Sequence, residues 1–324
     1  MSWFYLIFGL GLLYAGAQTL ISGGAGLALR LGLTPLVIGL TVIAYGTSSP
    51  EMVVSMQAAL SGNGAISIGN VVGSNICNIA LILGACALIS PLKGSPQIIR
   101  REIPIMIAVS VLLCIFLYTG DGYLSRWEGA VLFAGIVIYT VTTVRAARRE
   151  SDDSARQAES GSDVTARGST EKKPGLGLSI ALTLGGLVIL VAGSHFFVDG
   201  AVTLAEGWGI SQTVIGLTIV AVGTSMPEFA TSMVAAIRKN SDVAVGNIVG
   251  SNIFNIIGIL GLCAMIRPIQ APAISLVDLV VMLALAVLLL PLCKSGGKIS
   301  RVEGALLLAG YAGYVWWLIA QNTA

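Results

Sequence analysis

Charge is what this sequence has least of. Of its 324 residues, 18 are Lys or Arg and 16 are Asp or Glu, 10% in all, where a soluble domain carries about 25%. That deficit excludes a water-facing surface over most of the chain. Aromatic residues are scarce, at 6%, and there is a single histidine, His195. A metal centre built on one histidine is disfavoured, so His195 is expected to be packed or interfacial. The five cysteines, Cys77, Cys86, Cys114, Cys263 and Cys293, form no CxxC pair and fall in or at the ends of apolar runs. They read as small buried apolar residues. No HExxH occurs, and no GxSxG stands beside a usable histidine. Hydrolytic and zinc-dependent chemistry therefore has no candidate.

What fills the chain instead is hydrophobic sequence, 55% of residues, with a mean hydropathy of +0.89. A bilayer span needs about 20 apolar residues. Ten such runs are legible, over 3–28, 36–60, 67–89, 102–119, 125–144, 175–205, 212–237, 243–266, 274–292 and 302–320. The first run is too long for a cleaved signal peptide, and no basic residue precedes Arg30.

The chain repeats itself. Residues 38–59 read IGLTVIAYGTSSPEMVVSMQAA and residues 215–236 read IGLTIVAVGTSMPEFATSMVAA. GNVVGSNICN at 69–78 likewise matches GNIVGSNIFN at 246–255, and both blocks are offset by 177 residues. A weaker echo joins Arg126-Trp127-Glu128-Gly129 to Arg301-Val302-Glu303-Gly304. The pattern predicts a duplicated five-helix unit, residues 1–144 and 175–324. Between them, 145–174 is rich in Ser, Arg, Asp and Glu and is expected to be a disordered soluble linker.

Five spans is an odd number, so the second unit is expected to lie inverted. Sixteen of the eighteen Lys and Arg residues fall in the segments after spans one, three, five, seven and nine; only Arg126 and Arg267 fall on the other side. The positive-inside rule then puts the linker in the cytoplasm and both termini outside. The expected fold is an all-α polytopic membrane protein, ten transmembrane helices in two inverted five-helix repeats. Inverted repeats mark transporters, whose substrate site lies where interrupted helices meet near the midplane.

Glu51 and Glu228 lie well inside apolar spans. A carboxylate there costs several kcal/mol unless a cationic side chain or a bound cation satisfies it. No Lys or Arg lies in the interior of any span, which leaves a bound cation or a proton. Thr47 and Ser48 precede Glu51; Thr224 and Ser225 precede Glu228. The four-residue spacing of Thr47 to Glu51, and of Thr224 to Glu228, places each pair on one face of a continuous helix. Pro50 and Gly46, like Pro227 and Gly223, loosen the backbone there. The carbonyls of Ala44, Thr47, Ala221 and Thr224 are thereby expected to be free. Ser74 with Asn78, and Ser251 with Asn255, add further oxygens at i, i+4 spacing. Calcium takes six to eight oxygen ligands, carboxylates and carbonyls among them.

Two GTSxPE segments, each followed by GNxxGSNIxN, resemble the two alpha repeats of the sodium/calcium exchanger family of cation/calcium antiporters. The resemblance covers essentially the whole chain. It implies that Glu51 and Glu228 are central calcium ligands, with oxygens of Thr47 and Thr224 completing that site. Ala44, Ser48 and Ser74 would contribute to one flanking sodium site, and Ala221, Ser225 and Ser251 to the other. Thr47, Glu51, Thr224 and Glu228 would be shared with sodium, and Asn78 and Asn255 would line the middle. Some relatives, including potassium-dependent ones, carry Asp where this chain has Asn255. That departure lowers the negative charge of the site and argues against potassium dependence.

The implied mechanism is sodium/calcium antiport by alternating access in the plasma (inner) membrane. The Gly-rich first and sixth spans would slide against a static bundle. The partners are the bilayer and small inorganic cations, with no cofactor, nucleic acid or required protein partner. A proton-coupled divalent-cation antiporter is the nearest alternative. Proton/calcium exchangers of the superfamily typically place Asn and Ala where this chain has Thr, Ser and Pro before the glutamate. A channel fits inverted halves less well, and an enzyme lacks a nucleophile–base pair or metal triad. Asp199 is expected at an interface, Glu128 and Glu303 at helix starts, and Trp316 and Trp317 as interfacial anchors.

Overall fold

Long apolar runs become long helices because a helix satisfies its own backbone where lipid offers no hydrogen bonds. The computed structural model describes residues 2–160, 175–209, 215, 219, 221–271 and 275–323. Its main helices are α1 (Ser2–Leu31), α2 (Pro35–Thr47), α3 (Ser49–Leu60), α4 (Gly64–Ile89) and α5 (Ile98–Thr119). They continue with α6 (Arg126–Ser160), α7 (Leu176–Gly207), α8 (Met226–Ile237), α9 (Ser241–Ile266), α10 (Leu276–Lys294) and α11 (Arg301–Thr323). Among the described residues, eight helices are long and apolar enough to cross a membrane, and the bent pair α2/α3 makes a ninth. The expected span 212–237 falls partly outside the described residues; α8 is its C-terminal part.

One expectation fails at the linker. α6 runs on to Ser160, so residues 145–160 continue a helix rather than beginning a disordered segment. Helix propagation from an established span needs no new nucleus, and Ala, Arg, Glu and Gln at 145–158 are good helix formers. The rest of the linker, 161–174, lies outside the described residues.

The starts of α6 and α11 are set by capping boxes. Glu128 Oε2 accepts from the Ser125 amide (2.8 Å) and hydroxyl (2.6 Å), while Ser125 Oγ accepts from the Glu128 amide (3.3 Å). Ser300 and Glu303 repeat the arrangement at 2.6 Å and 3.3 Å. Two short antiparallel bridges tie loops of the two halves together. β1 (Leu92–Lys93) pairs with β4 (Lys298–Ile299), and β2 (Tyr123–Leu124) pairs with β3 (Ile269–Gln270).

α1 and α7 lie antiparallel in close contact. A Cβ on Gly16 would come within 2.8 Å of the Leu190 amide nitrogen, and one on Gly193 within 2.8 Å of that of Leu13. Gly9, Gly16 and Gly23 form a seven-residue stripe on α1, and Gly186, Gly193 and Gly200 form its counterpart on α7, all six facing the other helix. Small residues of this kind allow backbones to approach where lipid supplies no hydrophobic drive. The core consists of α4 and α9, whose span windows are 72% and 83% buried, against 11–33% for the other full-length spans. α6 packs on α9 through Gly129 and Gly261, and α11 packs on α4 through Gly304 and Gly84.

Candidate cation site

The site forms where α2/α3 and its counterpart break. Ser48 (φ −79°, ψ 8°) ends α2, and the axis turns by 47° into α3. Ser225 has nearly the same geometry (φ −85°, ψ 6°) ahead of α8, after the single turn Ala221–Gly223. Pro50 and Pro227 sit in the first turns of the new helices, where a missing N–H costs nothing. The Gly46 carbonyl, which a continuous helix would pair with the amide at position 50, instead accepts from Ser49 Oγ (2.7 Å).

The break changes which residues meet. Ser48 Oγ donates to Glu228 Oε1 (2.7 Å), and Ser225 Oγ donates to Glu51 Oε1 (3.0 Å). The Thr47 hydroxyl lies beside Glu228, and the Thr224 hydroxyl beside Glu51. The reading of each Thr–Glu pair on one continuous helix face is therefore corrected. The helix bends between them, and each threonine hydroxyl lies beside the glutamate of the other half, Thr224 Oγ1 without a hydrogen-bond partner among the described residues. The Ala44 carbonyl, expected to be free, accepts from the Ser48 amide (3.0 Å), Thr47 Oγ1 (3.3 Å) and Ser251 Oγ (3.4 Å). Ser251 thus sits with Ala44 and beside Glu228. The side chain of Ala221 lies outside the described residues.

Glu51 and Glu228 are 1% and 0% exposed, and they lie within electrostatic reach of each other. No Lys, Arg or His among the described residues pairs with either; the contacts Arg101–Glu102 and His195–Asp199, both at 3.9 Å, involve other carboxylates. One oxygen of each glutamate, Oε2, takes no hydrogen bond from the described protein. Ser74 Oγ, Asn78 Oδ1 and Asn255 Oδ1 are likewise buried without a partner. The donor set is thus two carboxylates ringed by neutral oxygens, which suits a hard cation. No cluster of three or more His, Cys, Asp or Glu residues exists among the described residues.

α4 and α9 supply the floor of the site. Both turn π-helical at equivalent places, Cys77–Leu83 and Phe254–Leu260, a widening often found at functional positions. Cys77 lies beside Ser225 and within reach of both glutamates. Four asparagines that the spacing argument passes over are also here. Asn70 Nδ2 donates to Ser55 Oγ (2.9 Å) and to the Glu51 carbonyl (3.2 Å). Asn247 Nδ2 donates to Ser232 Oγ (2.9 Å) and to the Glu228 carbonyl (3.5 Å), and its Oδ1 accepts from Thr47 (3.3 Å). Asn75 and Asn252 bind each other's carbonyls across the two halves. All four stand inside the repeated GNxxGSNIxN block; their identity at the 177-residue offset is the signal that could have found them.

The remaining singled-out residues sit apart from the site. His195 and Asp199 are exposed on α7, Trp316 is exposed on α11, and Glu128 and Glu303 act as the caps described above.

Comparison with known proteins finds relatives over nearly the whole chain. The family model described as "Sodium/calcium exchanger protein" matches residues 1–145 and 178–320. The Escherichia coli inner membrane protein YrbG is 39% identical, covering 96% of this chain and 94% of its own. The sodium/calcium exchanger MaX1 of Methanosarcina acetivorans is 32% identical, covering 96% of each. A solved structure of the sodium-calcium exchanger NCX_Mj superposes with a TM-score of 0.78 at 33% identity, covering 98% of both chains. Fold and site together define a multi-pass membrane transporter, not an enzyme. The chain belongs to the sodium/calcium exchanger family.

Proposed function

We propose that this protein exchanges sodium for calcium across the membrane, one ion set at a time, through the paired-carboxylate site. The observation that carries this reading is the reciprocal arrangement of Glu51 and Glu228. Each is fully buried, held by a serine of the opposite half, and left, among the described residues, with one unpaired oxygen and no cationic neighbour. Burying a carboxylate without a partner costs several kcal/mol, and a divalent cation between two of them cancels both charges. The names of MaX1 and NCX_Mj, both sodium/calcium exchangers, support the same cargo.

Calcium is held by Glu51 and Glu228 with oxygens of Thr47 and Thr224. Sodium uses Ser48, Ser74, Ser225, Ser251 and the carbonyls of Ala44 and Ala221 with the same Thr and Glu oxygens, while Asn78 and Asn255 line the middle. Because the ligand sets overlap, sodium and calcium exclude one another, and alternating access follows from sliding of α1 and α7 against the static bundle around α4 and α9. The units are 1–144 and 175–324 in ten spans, inverted, in the plasma membrane with both termini outside and 145–174 cytoplasmic. Each short β bridge joins two loops that this topology puts on one side, which supports it.

The test is calcium-45 uptake into sodium-loaded proteoliposomes at fixed pH, for wild type and Glu51→Gln. Uptake that needs the sodium gradient and falls about 100-fold or more in the variant is expected. Uptake driven by a proton gradient and indifferent to sodium would replace the coupling ion with a proton. No calcium uptake under either gradient would withdraw calcium as the cargo.

A further inference from the structure

Four buried asparagines meet where the π-helical stretches of α4 and α9 begin. The inner two, Asn75 and Asn252, hold each other. Asn75 Nδ2 donates to the Asn252 carbonyl (3.2 Å), and Asn252 Nδ2 donates to the Asn75 carbonyl (3.3 Å). The same two amides also face a methionine sulfur each, Met282 Sδ at 4.0 Å and Met106 Sδ at 3.7 Å. The outer two are held by the inner two. Asn78 Nδ2 donates to Asn252 Oδ1 (2.9 Å), and Asn255 Nδ2 donates to Asn75 Oδ1 (3.0 Å).

A carboxamide has one acceptor end and one donor end, nearly identical in shape. Its environment must therefore choose which end faces where. Turning Asn75 over would set its oxygen against the Asn252 carbonyl and its NH₂ against the NH₂ of Asn255. Turning Asn78 over would set its oxygen against Asn252 Oδ1. The network permits one orientation, and its result is the same in both halves. The donors are spent inside the network, and Asn78 Oδ1 and Asn255 Oδ1 are left buried with no hydrogen bond from the described protein. Ser251, one residue before Asn252, stands beside Glu228; that the two free oxygens line the cation site is part of the reading proposed above.

We propose that Asn75 and Asn252 are positioning residues. They fix the carboxamides of Asn255 and Asn78 so that oxygen, and not NH₂, is presented to the cation. A misplaced NH₂ would bring partial positive charge to a cation, so the orientation matters more than the contact itself. The control is crossed: Asn75 of the first half sets Asn255 of the second, and Asn252 sets Asn78. This inference rests on the cation-site reading above.

The test is a double-mutant cycle read by equilibrium calcium-45 binding to the purified full-length protein, which needs no turnover. The proteins are wild type, Asn75→Ala, Asn255→Asp and the double variant. With Asp at 255 both ends of the side chain are oxygen, so there is no orientation left to set. Asn75→Ala is expected to weaken binding about tenfold in the wild-type background and less than about twofold in the Asn255→Asp background. Equal losses in both backgrounds would overturn the inference and leave Asn75 a packing residue. Where Asn75→Ala does not fold, Asn252→Ala against Asn78→Asp reads the same relationship from the other half. Wild type that binds no calcium overturns the proposed function instead.

Discussion

The hydroxyl of Ser48 donates to Glu228, 180 residues further along the chain, at 2.7 Å. Its counterpart Ser225 donates to Glu51 at 3.0 Å. Each half of the protein thus holds the acid of the other. A site built this way depends on how the halves are placed, so movement between them changes its ligands directly.

Removing either hydroxyl removes a hydrogen bond to a buried charge, worth about 1.5–3 kcal/mol. Ser48→Ala is expected to raise the half-saturating calcium and sodium concentrations for transport by about tenfold or more. Ser225→Ala is expected to do the same. Calcium-45 uptake titrated with each ion checks this; unchanged half-saturation in both variants would remove the serines from the site.

The asparagines that brace the helix breaks are expected to matter unequally. Asn70 and Asn247 both clamp a glutamate carbonyl, but only Asn247 also accepts from Thr47. Asn247→Ala therefore costs about 1 kcal/mol more than Asn70→Ala. Thermal unfolding of the two purified variants in the same detergent would reveal the order.

The seam between α1 and α7 is closed to added side chains. Gly16→Val drives a Cβ into the Leu190 backbone and is expected to cost about 1–3 kcal/mol, lowering the thermal midpoint and slowing transport. A Cβ added at Gly11 would meet nothing within 4 Å, so Gly11→Val is expected to do neither. Equal behaviour of the two would show that the seam is not tightly packed.

A third buried acid has partners of its own. Glu102 is fully buried and accepts from Tyr139 Oη (2.8 Å) and Gln97 Nε2 (3.3 Å). Tyr139→Phe leaves one of its oxygens without that donor and is expected to lower stability by about 1–3 kcal/mol. The half-saturating calcium concentration is expected to stay the same, which uptake assays would show.

Much of this protein is decided locally. The long apolar runs dictate membrane helices, and the GTSxPE blocks dictate two breaks beside two acids. The 177-residue repeat says the two features occur twice. The Ser125 and Ser300 caps follow from SxxE spacing, and family membership follows from the motifs themselves. Apart from the repeat, all of these depend on residues within a few turns of one another.

Which oxygens surround which acid is a different kind of fact. Helical spacing pairs Thr47 with Glu51, yet the bend at Ser48 sends Thr47 and Ser48 to Glu228. Spacing alone also gives no reason to single out Asn75 and Asn252, because their partners are each other and the asparagines of the opposite half. These contacts span 174 to 200 residues, and no periodicity in one segment encodes the position of another. They exist because the close-packed α4 and α9 hold the halves in one register, and that register belongs to the folded molecule.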